Sequence, residues 1–87
     1  MIEVGDLVEW TSQAGGVQKT KRGIVVAVIP AKRAVFPHLP SGLPKSRIKV
    51  GSEFSKFDRA LVEVPRKTGR GSDYYAPRIK WLKKVGV

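Results

Sequence analysis

Short apolar runs, separated by glycine and proline, set the rhythm of this chain. The longest is Ile24-Val25-Val26-Ala27-Val28-Ile29. Its β-branched content predicts the buried part of a strand from Lys21 to Ile29, and Pro30 ends it because proline cannot donate to a ladder. Leu7 to Trp10 reads as a first strand, introduced by the turn signal Gly5-Asp6. Between the two, the polar segment Ser12 to Thr20 carries Gly15-Gly16 and reads as a hairpin or loop tip. Farther on, Lys45 to Val50 alternates, with Lys45, Arg47 and Lys49 on one face and Ile48 and Val50 on the other, which predicts a third strand. Gly51 to Asp58 holds Phe54 and Phe57, expected to cover one end of the fold. Arg59 to Val64 alternates again: Ala60, Val62 and Val64 share one face, Arg59, Leu61 and Glu63 the other, and Pro65 closes the run. Arg66-Lys67-Thr68-Gly69-Arg70-Gly71 reads as a basic hairpin loop, after which Tyr74-Tyr75 begins another strand. Ile79 and Leu82, three apart after Pro77, predict a single 3₁₀ or helical turn before Val85.

Residues 30–46 break the pattern. Pro30, Pro37, Pro40 and Pro44 fall close together with Gly42 among them, which makes this stretch a loop. Long ordered loops in small domains are usually functional, and the alternative is a partly mobile surface insertion. The elements add up to an all-β fold: a small five-stranded barrel with a long proline-rich loop and a short C-terminal helical turn, forming a single domain over residues 1–87.

Composition narrows the function. With 87 residues, one domain with a thin core is expected. The absence of cysteine excludes disulfides and thiolate zinc sites and fits a cytoplasmic protein. No apolar run approaches membrane-spanning length, and the acidic opening Met1-Ile2-Glu3-Val4 does not read as a signal peptide. Charge changes the picture most. Lys and Arg number 17 against 7 Asp and Glu, a net of +10. Residues 1–10 carry Glu3, Asp6 and Glu9 and no base; residues 11–50 carry eight bases and no acid. Forty residues without a carboxylate cannot neutralise themselves locally, and such a surface attracts nucleic acid, an anionic membrane or an acidic protein.

The segment Gly5-Asp6-Leu7-Val8, then Gly15-Gly16, then Gly23-Ile24-Val25-Val26 resembles the KOW motif of ribosomal and transcription-elongation proteins. The closing Pro77-Arg78-Ile79-Lys80-Trp81-Leu82-Lys83-Lys84-Val85 looks like the short helical turn and last strand of SH3-like domains. The resemblance implies an SH3-like barrel with a KOW-like first hairpin. In its shortness, basicity and compact opening the chain also looks like small phage and prophage proteins, some of which inhibit host CRISPR systems.

Catalysis finds little inventory here. The sole histidine, His38, lies in the proline loop, and no serine stands at a nucleophile-elbow or triad spacing. Nor is there a phosphate-cradling glycine loop. Neither catalytic residues nor a metal or other cofactor are expected. The acidic trio Glu3, Asp6 and Glu9 reads as a structural brace for the first turn. What the chain has in quantity is cations, in four sets: Lys19, Lys21 and Arg22; Lys32 and Arg33; Lys45, Arg47 and Lys49; Arg66, Lys67 and Arg70. Each cation that replaces a counterion on a phosphate adds salt-sensitive affinity, and arginine matches phosphate bidentately. Tyr74, just after the basic hairpin, is the expected stacking residue; Trp10 and Trp81 read as core. Phe36 in the proline loop reads as an anchor for a protein partner.

Two functional readings follow. One is a non-catalytic module that binds nucleic acid through its phosphates, with little base specificity. The other is a phage-type protein-interaction module that docks on an acidic protein or nucleoprotein surface, inhibition of a CRISPR effector being one case. Neither involves a membrane or a small-molecule substrate. Basic sets gathered on one face beside an aromatic favour the first; dispersed charge and an apolar patch over residues 34–43 favour the second.

Overall fold

The computed structural model describes residues 2–14, 17–66, 69 and 71–85. Five strands, β1 (Leu7–Ala14), β2 (Val17–Ile29), β3 (Arg59–Pro65), β4 (Ser72–Tyr75) and β5 (Lys83–Lys84), form one antiparallel sheet in the order β4-β3-β2-β1-β5. The remaining regular structure among the described residues is three 3₁₀ turns, Phe36–His38, Lys45–Arg47 and Ile79–Trp81. The expected all-β class and the turn ahead of the last strand are present.

β2 organises the sheet. Its first half pairs with β1 alone, from Ala14↔Val17 back to Val8↔Gly23. Its second half pairs with β3, starting at Ile24↔Glu63, with a register shift between Val25 and Ala27, and only Ile24 pairs with both neighbours. A bulge of this kind adds one residue on one strand and bends the sheet. The first hairpin is therefore much longer than expected. Residues 12–14 and 17–20, read from sequence as a hairpin or loop tip, extend both strands, which end at Ala14 and resume at Val17.

Each face of the sheet carries a core. On one, Val8, Trp10, Val25, Ala60, Val62 and Leu82 form a core, with Ile2, Val64, Tyr75 and Ile79 against it. On the other, Ile29, Val35, Leu61 and Tyr74 form a second core, joined by Val26, Ala27, Leu39, Leu43, Val50 and Ala76. The proline-rich loop supplies Val35, Leu39 and Leu43, so it is a lid that builds the second core. Val35 is fully buried, and its amide donates to the Glu53 carbonyl at 3.1 Å. Fully burying an aliphatic side chain contributes about 1.5–3 kcal/mol. Val35→Ala is therefore expected to destabilise the protein by about 2 kcal/mol, read as a lower midpoint in urea unfolding. An unchanged midpoint would make the loop peripheral to stability.

The third strand expected over 45–50 does not form. Pro44 starts a 3₁₀ turn instead, and only Ile48 bridges β4, in parallel, at Tyr74. The alternation of Lys45, Arg47 and Lys49 therefore defines no strand face. Phe54 and Phe57, expected as covers, are exposed. Their segment is tied down by Arg59, 5% exposed, whose guanidinium donates to the carbonyls of Ser52 at 2.7 Å and Glu53 at 2.8 Å. Burial pushes the Arg59 pKa below its ordinary value. Of the acidic trio, the carboxylate of Asp6 holds the first turn and that of Glu9 links to the basic body. Asp6 Oδ2 accepts the Glu3 amide at 2.8 Å and lies 3.4 Å from Lys84 Nζ, and Glu9 pairs with Arg22 at 2.9 Å. The Glu3 amide, helped by Lys84, holds the Asp6 carboxyl below the usual carboxylate range.

Candidate nucleic-acid interface

The first half of β2 has an edge with no ladder partner among the described residues, because β3 joins only at Ile24. Bare edges invite unwanted pairing, and lysine is the usual guard. This edge carries Lys19, Lys21 and Arg22. It opens onto a groove of about 660 Å³, whose far wall is the β3–β4 hairpin: Val64, Pro65, Arg66, Asp73 and Tyr75. Arg66 of the fourth set, more than forty residues away in sequence, thus faces the first set across one groove. Arg66 pairs with Asp73 at 3.1 Å and Arg22 with Glu9. Lys19 and Lys21 have no ion-pair partner among the described residues. The Lys21 ammonium stands 5.1 Å from the centre of the Tyr75 ring, and that ring meets Trp10 edge-on at 5.7 Å.

The third set reaches the same hairpin from the other side. Arg47 lies so close to Gly71 that a side chain there would meet its guanidinium carbon at 2.7 Å. Gly71 also holds φ +81°, so the backbone calls for glycine, whereas the Arg47 guanidinium could swing aside. The Lys49 amide donates to the Tyr74 carbonyl at 2.7 Å, and the Lys45 and Lys49 side chains are exposed. Lys67 and Arg70 lie outside the described residues.

The second set falls elsewhere. Lys32 and Arg33 follow the far end of β2, whose last residue, Ile29, lies about 26 Å along the strand from Lys21 at ~3.3 Å per residue. Lys32 lines a shallow hollow with Phe54, Ser55 and Lys56.

The aromatic assignments need correcting. Tyr74 is 8% exposed, inside the second core, with its hydroxyl donating to Glu63 at 3.2 Å. It cannot stack on a base. Burial, together with the Glu63 carboxylate, raises its pKa above the ordinary value. Tyr75 is the half-exposed ring at the groove. Trp10 is buried as expected, but Trp81 is 53% exposed. Phe36 is exposed, as an anchor must be. Its neighbours do not extend it into an apolar patch over 34–43, since Val35 is buried and Leu39 and Leu43 pack into the second core.

The chain matches no family model, and no curated protein or solved structure resembles it significantly. Among the described residues, no helix is long and apolar enough to cross a membrane.

Proposed function

We propose that this protein is a small non-catalytic module that binds nucleic acid through its phosphate backbone. The single observation that carries the reading is the convergence of three basic sets on the β3–β4 hairpin: Lys19, Lys21 and Arg22 from β2, Arg47 from the 3₁₀ turn, and Arg66 from the hairpin itself. Cations spaced along a groove suit a chain of phosphates, and Tyr75 adds an aromatic at the same place. The absence of an apolar patch at 34–43 weighs against the protein-docking alternative, the CRISPR-effector case included.

The finer fold assignment belongs to the same reading. An SH3-like barrel is supported by the bulge that bends β2, by the return of β5 to the side of β1, and by the 3₁₀ turn directly before β5. A KOW-like first hairpin is supported by the long β1–β2 pair and the close approach at Gly23.

Binding of a fluorescein-labelled 20-base-pair duplex at about 150 mM salt tests the function. Sequence-independent phosphate contact predicts a Kd of about 10 μM. No binding at that salt would turn the basic groove into a docking face for an acidic protein.

A further inference from the structure

A second groove, lined by Glu9, Trp10, Thr11, Gln18, Thr20, Trp81 and Lys83, lies beside the first. Thr20 of β2 lines both, so the two meet at this residue on the open edge of β2. Trp81 stands at its rim. The ring is held: the Arg78 guanidinium carbon lies 5.0 Å from its centre and 3.6 Å from that of Phe57. The backbone beneath is held too, by the turn bonds Trp81 N–H to Arg78 O and Leu82 N–H to Ile79 O, both 3.0 Å, with Leu82 buried in the first core. An indole kept exposed on a rigid turn gains nothing for the core.

Apart from Trp10, the rest of this groove is polar. The hydroxyls of Thr11 and Thr20 lie 3.4 Å apart, Gln18 is exposed, and Lys83 adds a cation. Its one carboxylate, Glu9, is neutralised by Arg22. A fixed aromatic ring, hydroxyl and amide groups able to meet a base edge, and a continuous run of cations beyond Thr20 are together the components of a single-strand site.

We propose that Trp81 is a base-stacking platform for single-stranded nucleic acid, whose backbone then crosses Thr20 into the Lys19, Lys21 and Arg66 groove. The inference rests on the phosphate-binding reading and adds the substrate class. A duplex keeps its bases stacked on one another and would have to extrude one to reach Trp81. The stacking contribution is therefore specific to single strands.

The test is fluorescence anisotropy with labelled 12-nucleotide oligo-dT, the matching oligo-U, and a 20-base-pair duplex, on wild type, Trp81→Ala, Trp81→Phe and Lys19→Glu/Lys21→Glu. Trp81→Ala is expected to weaken single-strand binding about tenfold and leave duplex binding within about twofold, with Trp81→Phe recovering most of the loss. Tryptophan fluorescence should be quenched by the single strand and much less so in Trp81→Ala. The two oligonucleotides tell DNA from RNA. The lysine reversals should weaken single strand and duplex alike. If they do so while Trp81→Ala binds single strands as wild type does, the stacking site is overturned and the phosphate reading survives. Equal losses on single strand and duplex in Trp81→Ala overturn it as well. Wild type that binds none of the three probes overturns both readings, and leaves Trp81 as a contact for a protein.

Discussion

Gly23→Ala is expected to lower stability by about 3 kcal/mol, and with it the melting temperature by more than about 10 °C. Gly23 sits where β3 meets β2. A Cβ at this position would collide with the backbone carbonyl of Glu63 and lie 2.8 Å from Val62 Cγ1. Backbone cannot swing aside as a flexible side chain can, so relief requires β3 to shift. β3 carries Ala60, Leu61 and Val62, which are fully buried and divided between the two cores, so a shift disturbs both. The control is Gly51→Ala, where nothing lies within 4 Å of the added methyl and a neutral or slightly stabilising effect is expected. Thermal unfolding followed by circular dichroism reads both. A Gly23→Ala protein melting within about 3 °C of wild type would mean that β3 does not press on β2 here.

The second large effect is on binding. Lys19→Glu/Lys21→Glu/Arg66→Glu is expected to weaken duplex binding at least about 100-fold, because each charge-assisted contact is worth about 1.5–3 kcal/mol and each reversal adds repulsion. The triple variant should remain folded. Lys21 gives up its place over Tyr75 and Arg66 its partner Asp73, and partly exposed contacts of these kinds contribute about 1 kcal/mol or less apiece. The control carries the same chemistry at the other end of β2: Lys32→Glu/Arg33→Glu should reduce affinity only a few-fold, by long-range repulsion that salt screens. Equal losses in the two variants would show that net charge, and not the groove, governs binding.

The legibility of this molecule follows burial. Ile24–Ile29 announces its strand because Val25 and Ile29 anchor it in the two cores, with Val26 and Ala27 packed against the second, and Arg59–Val64 does so because Ala60, Leu61 and Val62 are fully buried. The arms of the first hairpin were illegible because Thr11, Gln18, Lys19 and Thr20 have no core to face. Their pairing is a backbone matter that leaves no apolar alternation. Lys45–Val50 misled in the opposite sense. Its alternation is real in the sequence, but Pro44 and the bonds from the Arg47 amide to Pro44 O and from the Ile48 amide to Lys45 O make it a 3₁₀ turn. The tyrosine assignment failed on a tertiary fact. Strand alternation separates Tyr74 from Tyr75, but which side stays open depends on Val35, Leu39 and Leu43 folding back over the sheet, and a proline-rich loop does not advertise a destination. The basic sets were legible as residues. Their convergence was not, since it depends on where β2 outruns β3. Trp81 was misplaced because a tryptophan in a thin-cored domain is expected inside, and its neighbour Leu82 takes that position instead.

The central claim, phosphate recognition at the β2 edge, is tested most directly by the salt dependence of wild-type binding to a 20-base-pair duplex. Lys19, Lys21, Arg22 and Arg66 neutralising four phosphates predict that log Kobs falls with log salt at a slope of about −3.6, a loss of about 150-fold between about 50 and 200 mM. The Lys19→Glu/Lys21→Glu/Arg66→Glu variant should flatten that slope by about 3, roughly one per contact removed. A wild-type slope shallower than about −1 would contradict the account and make the groove a surface for something other than nucleic acid.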